Sequence, residues 1–180
     1  MTIQAQYLQK RTTATEAMRH VRSGDSIIVP TGVGEPPALL TALSEQRHQF
    51  QDVKVAQILA LRKYAYFDPE TAHHVRHVAL FYGPASRAGG QAGWVDFIPN
   101  YFSEILQQIE RRQIPADVVF SMASPMDAHG YFSLSLGADY TMAALKTARA
   151  IVLEVNPNVP FANGNCLVHI SQVAALVESD

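Results

Sequence analysis

Gly24-Asp25-Ser26-Ile27-Ile28-Val29-Pro30-Thr31-Gly32-Val33-Gly34-Glu35-Pro36-Pro37-Ala38-Leu39-Leu40-Thr41-Ala42-Leu43 decides how this chain is read. Ser26-Ile27-Ile28-Val29 is a short apolar run that predicts a buried strand. Thr31 to Pro37 is a tight glycine loop, and Pro36 or Pro37 suits the first turn of a helix carrying Leu39, Leu40 and Leu43. A loop in this place, outside the carboxyl end of a strand, is where α/β proteins bind ligands. It is not the dinucleotide signature, because Gly34 is followed by Glu-Pro-Pro. Nor is it a phosphate loop, since no Gly-Lys-Ser/Thr follows. Two readings stay open: a ligand loop, or a turn that only joins strand to helix.

The same rhythm continues on both sides. Upstream, Thr13-Ala14-Thr15-Glu16 has capping-box spacing and predicts a helix through Ala17, Met18 and Val21 that stops at Gly24. Downstream, Val53 to Leu61 and Val75 to Tyr82 read as strands. Pro99 to Arg112 reads as a helix with Phe102, Ile105, Leu106 and Ile109 on one face. Asp117 to Ala123 is a continuous apolar strand, the kind found in a parallel sheet covered on both faces. A turn-rich loop, Ser124 to Gly130, separates it from a strand over Tyr131 to Leu136. Asp139 caps a helix through Ala148, and Ala150 to Val155 is another apolar strand. No further element follows the last apolar run, Val173 to Val177. Strands alternating with helices predict an α/β fold with an open, largely parallel sheet and helices on both faces.

The chain has 180 residues, enough for one domain with a sizeable core. Net charge is −2 and no basic stripe is present, which argues against nucleic acid. Residues 1–113 carry 12 Lys/Arg and 10 Asp/Glu, whereas residues 114–180 carry 2 and 6. That deficit leads us to expect that the surface of the last third is covered by something. One cysteine, Cys166, excludes an internal disulfide framework and fits a reducing compartment. Met1 to Arg22 lacks the apolar core of a secretory signal, and no apolar run reaches the length of a membrane helix. The expectation is a soluble, cytoplasmic protein with no membrane contact.

Other candidate chemistry is weaker. His73, His74 and His77 form H-H-x-x-H, but the metal signature needs a glutamate that is absent here. A solvated or interface histidine cluster is the preferred reading, and no metal site is expected. Asp127 and His129 lie close to Ser121, Ser124 and Ser133, but there is no nucleophile elbow. The better reading is that they bond the turn's own backbone. Nothing near Cys166 in sequence would lower its pKa, so a buried or edge thiol is expected.

Several segments in order resemble one family. They are Ser23-Gly24-Asp25, Gly34-Glu35-Pro36-x-x-Leu39-x-x-Ala42-Leu43, Gly83-Pro84-Ala85-Ser86-Arg87 and Pro99-x-x-x-Ser103-Glu104-Ile105. Asp117-Val118 follows, leading to Ser124-Pro125-x-Asp127-x-x-Gly130-Tyr131, then Asp139-Tyr140-Thr141, Glu154-Val155-Asn156-x-x-x-Pro160, His169-x-Ser171 and Val177-Glu178. Together they resemble the amino-terminal half of the acetyl-CoA hydrolase/transferase family, which includes 4-hydroxybutyrate and succinyl-CoA:acetate CoA-transferases. The resemblance implies a CoA-transferase (NagB/RpiA-like) fold in which two similar halves face one another. It also implies exchange of CoA between an acyl-CoA and a short-chain carboxylate through a glutamyl-CoA thioester. Coenzyme A is then a substrate, with no bound cofactor, and a homo-oligomer, a dimer, is expected.

The family's nucleophilic glutamate lies in a G-I-H-[ST]-E stretch of the second half, and that stretch does not occur here. Residues 1–180 therefore read as the amino-terminal domain without the catalytic domain, inactive alone and with no catalytic residue of its own. Thr31, Gly32, Val33, Gly34, Glu35 and Pro36 are expected to line the acyl side of the pocket, with backbone N–H groups placed for a carboxylate or thioester oxygen. Some relatives carry histidine where this chain has Thr31, which bears on substrate identity more than on reaction class. The competing expectation is a stand-alone, non-catalytic α/β domain that binds a ligand or partner.

Overall fold

A computed structural model describes residues 2–180; Met1, where the polar amino-terminal reading starts, lies outside them. In chain order the elements are α1 (Ile3–Lys10), α2 (Ala14–Ala17), β1 (Ser26–Ile28), α3 (Pro37–Glu45), β2 (Val53–Gln57), β3 (Val75–Ala79), α4 (Arg87–Ala92) and β4 (Asp96–Phe97). They continue as α5 (Phe102–Glu110), β5 (Val118–Ala123), β6 (Tyr131–Ser133), α6 (Thr141–Ala144), β7 (Ala150–Val155), β8 (Leu167–His169) and β9 (Ala175–Glu178). Seven strands form one sheet in the order β4-β3-β2-β1-β5-β7-β9, and every pairing in it is parallel. The expected α/β class and parallel sheet are what is found. β6 and β8 make a separate antiparallel ribbon.

Strand alternation sends side chains to two cores. Ile27, Val55, Phe120 and Val152 meet α2, α3 and the aromatic side chains of Tyr64, Tyr66 and Phe67. Ile28, Val78 and Val119 face the other way, against Ile105 and Ile109 of α5 and Ala143 and Ala144 of α6. Beyond them, Ile151, Leu153 and Leu176 are covered by Phe132 and Val168 of the ribbon, with Ile3 and Tyr7 of α1 alongside. No helix among the described residues is long and apolar enough to cross a membrane.

Several expected elements are shorter than their apolar runs. The capping box of Thr13 and Glu16 is present, but the helix lasts four residues before tightening into a 3-10 turn at Met18–His20. β2 stops at Gln57 because the chain then turns back to meet the glycine loop, Gly32 N–H donating to Leu59 O and Leu61 N–H to Glu35. β3 stops at Ala79, level with Gln57 at the end of its inner partner β2. The Asp139 helix is one turn, with Asp139 Oδ1 accepting from Thr141 N at 2.9 Å. The terminal run is an edge strand, Val177 pairing with Glu154. On α5 only Ile105 and Ile109 are buried; Phe102 and Leu106 of the same expected face are exposed.

Candidate functional site

β1 sits in the middle of the sheet, with β2-β3-β4 on one side and β5-β7-β9 on the other. The chain order reverses between β1 and β5, and open α/β sheets bind ligands outside the carboxyl ends of the strands at such a point. The loop that follows β1 occupies it. Tyr140 ties the loop's entry, donating to Val29 O at 2.6 Å and accepting from Ile58 N at 3.2 Å. Asp139 Oδ2 accepts from Thr31 N at 2.8 Å. Gly32 turns with φ +54, which favours glycine, and Gly32–Gly34 forms a 3-10 turn. Gly34 backs directly onto another turn: a Cβ there would stand 2.6 Å from Gly137 Cα and 2.7 Å from Pro30 Cβ. The two glycines let the β1 loop and the Ser135–Gly137 turn close the switch point by backbone contact.

Three carboxylates hold this arrangement. Glu35 accepts from Tyr64 Oη at 2.6 Å, Gln57 Nε2 at 2.9 Å and Leu61 N at 3.1 Å. Gln57 Nε2 also donates to Pro30 O, so one buried pair fastens β2's end to both edges of the loop. Burial and the hydrogen bond to Glu35 push the Tyr64 phenol well above its usual range. Glu154, on β7, accepts from Ala38 N at 2.8 Å and Leu39 N at 3.1 Å, the first free amides of α3 after Pro37. The positive end of α3 is thus already filled by an internal anion. Burial raises the Glu154 and Asp139 carboxyls, while the amides they accept from pull the other way.

Of the six expected pocket residues, Thr31, Gly32 and Val33 reach the surface, while Gly34, Glu35 and Pro36 are buried behind them. Val33 is 61% exposed. The expectation of a ready row of backbone donors is corrected here. The N–H groups of Thr31, Gly32, Gly34 and Glu35 are bonded within the chain, and α3's amides go to Glu154. Val33 N–H is left without an acceptor among the described residues. The loop closes on itself because a buried amide must find a partner.

Beside Thr31 lies a cavity of about 350 Å³ over the carboxyl ends of β1, β2 and β3. Leu59, Leu80, Phe81, Asn100 and Phe102 are among its walls, and none of its lining residues is ionisable. Asn100 Nδ2 donates to Leu80 O and Ile98 O, fixing the turn that presents Phe102. This wall was not visible as a site in the sequence, where Phe81 and Phe102 look like core. Their exposure, 56% and 65%, is what marks them.

The remaining candidates settle into structural roles. Asp127 Oδ1 accepts from His129 N and Tyr131 N, both at 2.8 Å, so it does organise its own turn. Cys166 is buried, its Sγ donating to Ala162 O. The rings of His73 and His74 lie in tilted contact, with His48 edge-on to His74, but His77 departs from the expected solvated cluster. It is 1% exposed on β3, packed on Phe67, because strand alternation turns it inward. Desolvation lowers its pKa to about 3. No group of side chains among the described residues could hold a metal ion.

The sequence model described as the acetyl-CoA hydrolase/transferase N-terminal domain matches residues 1–180. The succinyl-CoA:cyclohexane-1-carboxylate CoA transferase of Geobacter metallireducens is 42% identical over 97% of this chain and 40% of that protein. The 4-hydroxybutyrate coenzyme A transferase of Clostridium kluyveri is 30% identical over 96% of this chain and 40% of that protein. Among solved structures, RipA from Yersinia pestis superposes with a TM-score of 0.91 at 31% identity, over 99% of this chain and 44% of RipA. The 4-hydroxybutyrate CoA-transferase of Porphyromonas gingivalis gives 0.83 at 25% identity, over 99% and 41%. The chain therefore spans about two fifths of the length of the curated relatives it matches.

Proposed function

Because this chain belongs to the acetyl-CoA hydrolase/transferase family, we propose that residues 1–180 form the amino-terminal, substrate-contacting part of a CoA-transferase. The complete enzyme moves CoA between an acyl-CoA and a free short-chain carboxylic acid, as the names of the relatives describe for those proteins. Thr31 to Pro36 belongs to the acyl side of that site, with Thr31, Gly32 and Val33 in contact and the buried residues as their support. The catalytic glutamate comes from a carboxy-terminal domain. A cytoplasmic location and a homodimer complete the reading.

One observation carries it. Each carboxylate around the switch point already accepts two or more hydrogen bonds, the buried Glu35 and Glu154 and the half-buried Asp139. A nucleophile must be free to reach its carbonyl. This half offers shape and a few donors and leaves the covalent step to another part of the enzyme.

Two assays test the proposal. The purified chain, given acetyl-CoA with succinate, butyrate or 4-hydroxybutyrate, should show no transfer above a boiled control. Turnover by the chain alone would overturn the division of labour. A chimera with this chain in place of the amino-terminal part of the Geobacter enzyme should transfer CoA. A folded but inactive chimera would favour the stand-alone binding domain instead.

A further inference from the structure

We propose that Arg47, His48, His73 and His74 form a binding site for a divalent oxyanion of the sulfate or phosphate kind, which enters together with protons. The site lies at the amino ends of β2 and β3, where Asp52 N donates to His73 O and Val53 N to His74 O. This is the edge of the sheet opposite the glycine loop, so the inference does not rest on the acyl-site reading.

An arginine without a counter-charge is the first argument. Arg47 follows α3 and is half-buried. Its Nη1 donates to Ser44 O at 2.7 Å, while its buried Nε has no partner. Among the described residues no carboxylate forms an ion pair with it. A cation withdrawn from water ordinarily has an anion beside it.

The three imidazoles nearby are the second. The rings of His73 and His74 are 4.0 Å apart, and His48 stands edge-on to His74 at 4.9 Å. His74 Nδ1 donates to Phe50 O at 2.7 Å, so that nitrogen holds its hydrogen and an added proton goes to Nε2. His74 N also donates to Thr71 O, which fixes the backbone carrying the pair before any ligand arrives. Desolvation and the neighbouring Arg47, His74 and His73 all hold the His48 imidazole below its ordinary value. Protonation here is opposed by cations that an anion would neutralise.

The surrounding charge decides the class of ligand. Glu45, Asp52 and Glu70 are the carboxylates on the adjoining segments, and all three are exposed. None pairs with Arg47 or an imidazole, and Asp52 goes to Lys54 at 3.8 Å. Across a groove over Phe50, Arg19 adds another cation, while Glu16 is engaged by Thr12 and Thr13. The cluster cannot hold a metal ion, and it grows more positive as pH falls. A tetrahedral oxyanion offers separate oxygens to a guanidinium and to several imidazolium N–H groups, which chloride cannot do.

Sulfate is the probe, because it keeps both charges from pH 5.5 to pH 8 and so isolates the protein's own protons. Titrated into the uniformly 15N-labelled chain at constant ionic strength, it should bind about tenfold tighter at pH 5.5 than at pH 8. The shifts should centre on Arg47, His48, His73 and His74. Reciprocally, sulfate should raise the titration midpoints of these imidazoles, and chloride should not. The double variant His48→Gln/His73→Gln alters two exposed side chains, so it keeps the fold. It should cut the pH 5.5 affinity about tenfold, to the pH 8 level. Arg47→Gln should weaken binding at both pH values. Inorganic phosphate against glycerol phosphate, at one pH, separates a free ion from an esterified phosphate; tighter binding of either supports the site and names its source. Equal sulfate affinity at both pH values overturns the proposal. So do shifts as large at His20, His129 and His169, chloride acting as sulfate does, or a double variant that binds like the unaltered chain.

Discussion

The two arms of the sheet finish their carboxyl edges in opposite ways. After β5 the Ser124–Gly130 turn is closed by Asp127, and the β6–β8 ribbon and α1 lie over β7 and β9. After β1, β2 and β3 the edge is left open, with Val33, Leu61, Phe81 and Phe102 all more than half exposed. Among the described residues, eight of the eleven exposed large apolar side chains fall before residue 113. Exposed apolar surface is thus not concentrated in the charge-poor last third, which carries Tyr131, Leu136 and Phe161. That third lacks charge because it is deep. β5 and β7 are buried along nearly their whole length, on both faces of the sheet. The open apolar surface belongs to the other arm, where charges are plentiful elsewhere.

The strongest way to break this contrast is to mutate one aromatic from each arm. Phe120, fully buried on β5, should cost about 3–5 kcal/mol when cut to alanine. Phe81→Ser, on the open edge, should stay within about 0.5 kcal/mol and reduce self-association in light scattering. Comparable losses in urea unfolding would mean the open edge is packed after all.

Within the loop, the same logic separates neighbours. Gly34→Ala drives a methyl into the backbone of Gly137, and overpacking of that kind costs about 1–3 kcal/mol. Val33→Ala should leave the melting temperature nearly unchanged, since the side chain is exposed. A stable Gly34→Ala variant would show that the two turns are free to part.

A further contrast concerns pH. His77 has a folded pKa of about 3, below the roughly 6.5 of an unfolded histidine. The folded state therefore binds fewer protons, and this contribution is intact above pH ~6.5 and lost as pH falls towards 3. The slope is at most about 1.4 kcal/mol per pH unit from this group. His77→Gln should flatten the difference between melts at pH 7 and pH 4.5. An unchanged difference would place acid sensitivity elsewhere.

Much of this was legible in residue order. The capping box at Thr13, the strand-to-helix turn at Gly32–Gly34 and the apolar runs of β5 and β7 are local signals, and each element appears where its signal lies. The edges were harder. β4 and β8 are short and exist by pairing with β3 and β6, so periodicity does not announce them. His77 was misjudged for a related reason: H-H-x-x-H is a pattern of identity, and only the strand's alternation decides which ring turns inward.

The sequence by itself determined the α/β alternation, the parallel sheet and the place of the glycine loop, because apolar period and turn chemistry act over a few residues. Tertiary structure alone decided what the loop's neighbours do. Glu154 meets Ala38 across 116 positions, and Asp139 meets Thr31 across 108. Whether a carboxylate is a reagent or a fastening depends on which donors the fold brings to it, and those donors lie too far away in sequence for any motif to hold them.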